Sequence, residues 1–242
     1  MRALIRLGAI RRLSRGLFFI IPFRTADPNS ERPRNEAAVA AAMFHPCYIG
    51  GWSAADAWNL EFSLRPETFV VTTRVRATFV EVGGIPFRLA YRPERLITGP
   101  GVVVRPGAAS AMSDPDRTLV DALRSPSWLG GVRPLARAFR EYYRSDGWDP
   151  DRFIETLLEA GNGAAVKRLY ALALLLDLGI ADVLRAVADR RTFGIVALEP
   201  GAQKGGRVDT WCRVRFNVSL DEEEEGVGDE LDYGDLDGLD DD

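Results

Sequence analysis

Arginine carries the spacing in this 242-residue sequence that points most directly to chemistry. In VRPLARAFREYYRS, Arg133, Arg137, Arg140 and Arg144 recur at intervals of four, three and four. An α-helix turns about 100° per residue, so these four fall in one narrow stripe. Leu135, Phe139 and Tyr142 take the opposite side, and Glu141 lies off the stripe. Such a helix packs by its apolar side and offers four guanidiniums to a phosphate backbone. A solvated face with internal ion pairs is the plainer reading of the same pattern. A second group opens the chain: Arg11, Arg12 and Arg15 within GAIRRLSRGLFF, preceded by Arg2 and Arg6. Residues 1–34 hold eight arginines against Asp27 and Glu31, a net of +6. Arginine binds phosphate through a planar fork of donors and inserts into narrow DNA grooves. A basic hairpin bathed in solvent, with no ligand, is the alternative.

The balance of charge favours an anionic partner. The last 22 residues, from Asp221, hold 13 of the 35 acids and none of the 31 bases. Residues 1–220 therefore carry 31 bases against 22 acids, a net of +9. A basic body with an acidic tail implies a polyanion and an electrostatic competitor for it. With strong like-charge repulsion and few large apolar groups, the tail is expected to be disordered on its own.

Residues for covalent or metal chemistry are scarce. His45 is the sole histidine, which disfavours a His-based metal site or a Ser-His-Asp triad. His45 and Cys47 flank Pro46 with no third group to complete a nucleophile and its base. Asp114 and Asp116 read as a helix cap and a first-turn dipole partner rather than as paired acids. The stretch YIGGWSAADAWNL contains neither a Walker pattern nor a G-x-G-x-x-G, so Trp52, Trp58 and Leu60 are assigned to the core. No catalytic residue, cofactor or metal is expected. Cys47 and Cys212 lie far apart in sequence, which fits a reduced, cytoplasmic chain. The apolar run LFFIIPF has seven residues before Arg24, too short for a membrane span of about 20.

The elements that must position these arginines follow from periodicity and punctuation. Residues 1–8 read as the end of a helix stopping at Gly8, followed by strands over Ala9–Leu13 and Leu17–Ile21 with a turn at Ser14–Gly16. Helix then arginine-tipped hairpin is the second half of a winged helix-turn-helix. Either another surface covers Leu4, Ile5 and Leu7, or the module begins further upstream. Thr25–Arg34 reads as a linker. A helix begins near Asn35 and runs to Phe44, and Ser53 is expected to cap a short helix over Ala54–Asn59. Strands are predicted near Glu67–Thr72, Thr78–Val82, Ile85–Arg92 and Val102–Pro106, with Gly83-Gly84 turning between the middle two. DPDRTLVDAL and DPDRFIETLL share an Asp N-cap followed by proline at the first helical position, at Asp114 and Asp149. Helices over Ala164–Leu178 and Ala181–Arg190 and a strand over Trp211–Leu220 close the folded part. The fold class is α+β. The division is a partial winged helix over 1–24, a linker over 25–34, a mixed α/β domain over 35–220 and the acidic tail over 221–242.

In order and spacing, LIRLGAIRRLSRGLFFIIP, YIGGWSAADAWNL, DPDRTLVDAL with GGVRPLARAF, KRLYALALLLDLG and GGRVDTWCRVRFNVSL resemble the AbiEi family across nearly all of residues 1–220. These are the antitoxins of type IV toxin–antitoxin (abortive infection) systems, which act in phage defence. The resemblance implies a winged helix that binds inverted repeats in its own promoter as a transcriptional autorepressor. It also implies a C-terminal antitoxin domain that counters a nucleotidyltransferase toxin without an obligatory stable complex. The basic face that such members use for DNA would be supplied here by Arg2, Arg6, Arg11, Arg12, Arg15, Arg133, Arg137, Arg140 and Arg144. A palindromic operator calls for two copies, as a homodimer or bound cooperatively. Two features depart from the pattern: the sequence opens at the last helix of the winged module, and the acidic tail is an addition. The alternatives are an interaction domain with a degraded DNA reader and, more remotely, an enzyme using the Gly-Gly/Trp segment.

Overall fold

The nine-residue run EAAVAAAMF and the cap in front of it illustrate how local chemistry starts the helices of this chain. In the computed structural model, Asn35 Oδ1 accepts the Ala38 N–H at 2.9 Å and α2 (Glu36–Phe44) follows, as expected from the sequence. The structure describes residues 2–22, 27, 31–74, 77–104, 106–179, 193–203 and 205–220. The helix expected over 181–190 and the tail over 221–242 lie outside the described residues.

The chain opens with α1 (Arg2–Arg6) and a hairpin of β1 (Ile10–Ser14) and β2 (Leu17–Ile20). After α2 come β3 (Cys47–Ile49), α3 (Gly51–Ala57), β4 (Thr68–Thr72), β5 (Phe79–Val82), β6 (Ile85–Tyr91), β7 (Val102–Val103) and β8 (Ala111–Ser113). These strands form a six-stranded mixed sheet in the order β5-β6-β4-β3-β8-β7, with β4/β6 and β3/β8 parallel. Alternation along the strands sorts the two faces. Val70, Cys47, Ile49, Phe87 and Leu89 face α2, against Val39, Ala40 and Phe44. Tyr48, Phe69 and Val71 face the other way, with Trp52 and Trp128.

Four helices make the second half: α4 (Pro115–Arg124), α5 (Val132–Tyr143), α6 (Pro150–Ala160) and α7 (Gly163–Leu175). They share the largest apolar cluster, centred on Leu119, Leu123, Leu135, Phe139, Phe153, Leu157, Leu169 and Leu172. A small sheet of β9 (Val196–Ala197), β10 (Arg207–Asp209) and β11 (Val214–Phe216), in the order β10-β11-β9, leans on α7. Among the described residues the architecture is therefore α+β, with seven α-helices and three sheets.

Both expected Asp-Pro caps are present. Asp114 accepts the Arg117 N–H at 2.8 Å, and Asp149 accepts those of Asp151 and Arg152 at 3.1 and 3.2 Å. Gly83 and Gly84 form the two-residue turn of β5–β6, with φ of 62° and 81°. Such left-handed pairs match the twist of a hairpin and favour glycine.

Several expectations need correction. Ser53 does not cap a helix; α3 starts earlier, at Gly51, and Ser53 Oγ accepts the Phe69 N–H at 2.8 Å, tying α3 to β4. Gly51 has φ of 53°, and a Cβ there would lie 2.8 Å from the Phe69 ring and from the Trp128 carbonyl. The strand expected over Trp211–Leu220 shrinks to β11. Asp209 captures the N–H groups of Trp211 and Cys212, both at 2.9 Å, and holds that stretch as a turn. The strand expected from Val102 spans only β7, and α7 ends at Leu175 rather than Leu178. Cys47–Ile49 and Ala111–Ser113 pair in the central sheet, although each is only three residues long.

Candidate nucleic-acid interface

Glycine sets the geometry of the N-terminal arginines. Gly8 (φ 67°) follows α1, and Gly16 (φ 81°) turns β1 into β2. Arg15 and Gly16 form the hairpin tip, next to an irregular step in register between Arg12 and Ser14. Leu13 and Leu17 pack against the cluster beneath the central sheet, and Leu13 meets the β5–β6 turn at Gly83. One side of the hairpin is thereby fixed. Arg6, Arg12 and Arg15 are exposed, and among the described residues no carboxylate pairs with them. Arg12 Nε donates to the Ser14 carbonyl at 3.1 Å, which steadies its stem. Arg11 is held differently: its guanidinium lies 5.6 Å from the centre of the Phe19 ring and donates to the Glu31 carbonyl. Arg2 opens α1. Leu4 and Ile5 on the same short helix and Leu7 just after it are 46%, 43% and 78% exposed.

Helix α5 carries the second arginine group. Its first N–H, from Val132, donates to Glu199 Oε2 at 2.5 Å, a carboxylate placed at the positive end of the helix. Leu135, Phe139 and Tyr142 are buried, as the spacing predicts. The opposite stripe is not uniform. Arg140 and Arg144 are exposed. Arg137 forms a forked pair with Glu61, with contacts at 2.6, 3.2 and 3.3 Å, while its side chain stays 45% exposed. Arg133 Nε donates to the Ser219 carbonyl at 3.0 Å. The stripe therefore presents Arg140 and Arg144 directly, and a phosphate would compete with Glu61 for Arg137. The pair is forked and the Glu61 side chain is only 15% exposed, so Arg137 is largely committed to Glu61.

Sequence reasoning missed a buried polar network at the join between sheet and helices. Arg117 is fully buried. Its Nε meets Asp121 Oδ2 at 3.0 Å, its Nη1 donates to the Pro100 carbonyl at 3.1 Å and its Nη2 donates to that of Leu96. Tyr48, in β3, donates to the same Asp121 oxygen at 2.5 Å. Burial, then the Asp121 charge, pushes the Tyr48 phenol well above its ordinary range. Asp116 lies in the first turn of α4, as expected, and has a second role. It is buried, accepting from the Tyr142 hydroxyl at 2.8 Å and from Arg152 Nε at 2.5 Å. The signal lay in the twice-used DPDR: the arginine of the second copy pairs with the second aspartate of the first. Cys47 and Cys212 are free thiols, both raised chiefly by burial, Cys212 to about 11. Neither has the thiolate character of a nucleophile. Among the described residues no helix is long and apolar enough to cross a membrane.

The sequence matches no family model, and comparison with curated proteins gives no significant match. Among solved structures, this fold is similar to the crystal structure of the Rv2827c protein from Mycobacterium tuberculosis. The TM-score is 0.57 at 15% identity, over 88% of this chain and 77% of that one. At that identity the likeness extends to the fold alone.

Proposed function

We propose that the chain is a cytoplasmic DNA-binding antitoxin of the type IV class, which represses its own promoter and counters a nucleotidyltransferase toxin. On this reading residues 1–24 form the closing part of a winged helix, 25–34 a linker and 35–220 the antitoxin domain. The observation that carries the reading is the set of exposed, carboxylate-free guanidiniums of Arg6, Arg12 and Arg15 on a hairpin anchored by Leu13 and Leu17. An anchored hairpin presents charge at a fixed place, and phosphate contacts fix a protein's register on DNA. Arg140 and Arg144, at the end of α5, offer a second exposed basic group, on a helix that packs in a different apolar cluster from the hairpin. The test is binding to a fluorescent duplex of the chain's own upstream region and to a scrambled duplex. Tighter binding to the upstream region is expected; equal or absent binding to both defeats the autorepressor role.

The acidic tail modulates this binding. The sequence continues for 22 residues beyond Leu220, and Ser219 is held at Arg133, on the arginine stripe itself. Removing residues 221–242 is expected to raise DNA affinity at low salt and to matter progressively less as salt screens the competition. Titration of both forms at two salt concentrations checks this, and unchanged affinity at low salt removes the tail from the account.

A second reading has one observation in its favour. The exposed Leu4, Ile5 and Leu7, on and just after α1, form an apolar surface that suits a protein partner better than DNA. A toxicity-rescue assay with a Leu4→Ser/Leu7→Ser variant separates the two. Rescue lost with DNA binding intact favours the interaction domain.

A further inference from the structure

A cleft of about 560 Å³ opens beside the sheet face that carries Phe69, bounded by α3, the end of β6, the Pro126–Trp128 turn and Glu199. Arg65 converges on it with Arg88 and Arg92, which lie in and just after β6. Two are mounted on indoles. The Arg65 guanidinium lies 4.6 Å from the Trp52 ring centre, and that of Arg92 lies 4.2 Å from Trp128. Arg92 is further braced through Ser125 Oγ at 3.1 Å and the Tyr91 carbonyl at 3.2 Å. A guanidinium laid on an aromatic ring has its conformational freedom already restricted, and on Arg92 one hydrogen of each terminal nitrogen remains beyond those given to Tyr91 and Ser125.

The cleft has an excess of positive charge. Among the described residues no carboxylate lies within ion-pair distance of Arg65, Arg88 or Arg92. Two carboxylates, Glu67 and Glu199, line it against the three arginines, and Glu199 is turned to the first N–H of α5. Behind the wall stand Arg124 and Arg117, with Asp121 between them as the balancing charge. Burial, and then the charge of Arg124, pulls the Arg92 pKa below its ordinary value. The Nε atoms of Arg92 and Arg124 are buried without a hydrogen-bond partner. Low-dielectric walls focus such a field into the opening.

The geometry points to a binding site for a phosphate-bearing small molecule of nucleotide size, with Arg88 and Arg92 on its phosphates and the guanidinium plane of Arg65, backed by Trp52, on its ring. The volume lies within the range of small-molecule sites and is far larger than one phosphate requires. Arginine forks match phosphate oxygens, and aromatic and guanidinium planes stack on bases. This site is separate from the arginine hairpin, so its failure leaves the DNA-binding reading standing, and the reverse also holds.

The test is calorimetric titration of the full chain with a nucleoside triphosphate, the matching nucleoside and inorganic tripolyphosphate. Saturable binding is expected for the nucleotide, with the nucleoside and tripolyphosphate each weaker by about tenfold or more. Arg65 and Arg88 are exposed, so Arg65→Ala/Arg88→Ala keeps the fold, checked by circular dichroism, and is expected to weaken nucleotide binding about tenfold or more. Arg92→Lys keeps the charge but loses the fork, and is expected to weaken it as well. Arg12→Ala/Arg15→Ala is expected to leave it unchanged. Absent nucleotide binding, binding indifferent to Arg65→Ala/Arg88→Ala, or tripolyphosphate binding as tightly as the nucleotide overturns the proposal.

Discussion

An Asp121→Ala variant is expected to lose about 3–5 kcal/mol of stability, because it leaves the Arg117 charge buried without its counter-ion. The reason is local. Arg117 is fully buried, and its remaining acceptors, the carbonyls of Leu96 and Pro100 and the Tyr48 hydroxyl, are neutral. Tyr48 loses its acceptor in the same step, and it joins β3 to α4. For a chain of this length each kcal/mol moves the midpoint by about 2–4 °C, so the melting temperature should fall by about 10 °C. Replacing both charges by apolar groups, Arg117→Met with Asp121→Leu, is expected to recover much of the loss, since no desolvated charge then remains. Denaturant unfolding of both variants beside the parent checks the pair. A loss under about 1 kcal/mol for Asp121→Ala would mean that water reaches Arg117 and that the network does not hold sheet to helices.

The second large effect concerns DNA. Changing Arg6, Arg12 and Arg15 together to alanine is expected to weaken duplex binding about a hundredfold near 0.1 M salt. Stability should change little, because all three side chains are exposed while Leu13 and Leu17 still anchor the hairpin. Arg11 is left in place, since its guanidinium packs on Phe19 and its loss would disturb the hairpin itself. Phosphate contacts carry no sequence information, so upstream and scrambled duplexes should weaken by the same factor. Fluorescence anisotropy on both duplexes measures this. A loss confined to the upstream duplex would instead make these arginines readers of bases.

Much of the scaffold was legible because its causes are local. Asn35, Asp114 and Asp149 cap the helices they precede, and Gly83-Gly84 turns its hairpin, since each needs only its neighbours. The buried side of α5 was readable from the spacing of Leu135, Phe139 and Tyr142. What escaped was set by distant partners. Three-residue strands such as Cys47–Ile49 and Ala111–Ser113 exist through pairing across the sheet, not through a pattern of their own. Ser53 was diverted from a cap by Phe69, and Asp116 pairs with Arg152 of another helix. The pairing of Arg137 with Glu61 spans 76 positions, and Arg65, Arg88 and Arg92 meet only once β4 and β6 pair. Charge spacing on one helix can be read from sequence; the counter-charge that answers it cannot.

The central claim is that exposed guanidiniums bind DNA phosphate, and salt dependence tests it most directly. Affinity of the full chain for its upstream duplex should be measured from about 50 to 200 mM salt, where each neutralised phosphate contributes about −0.9 to the slope of log K against log salt. With at least four arginines engaged, the account predicts a slope steeper than about −3, falling by about 2.7 in the Arg6, Arg12 and Arg15 triple variant. A slope near zero, or one that the triple variant leaves unchanged, would contradict it.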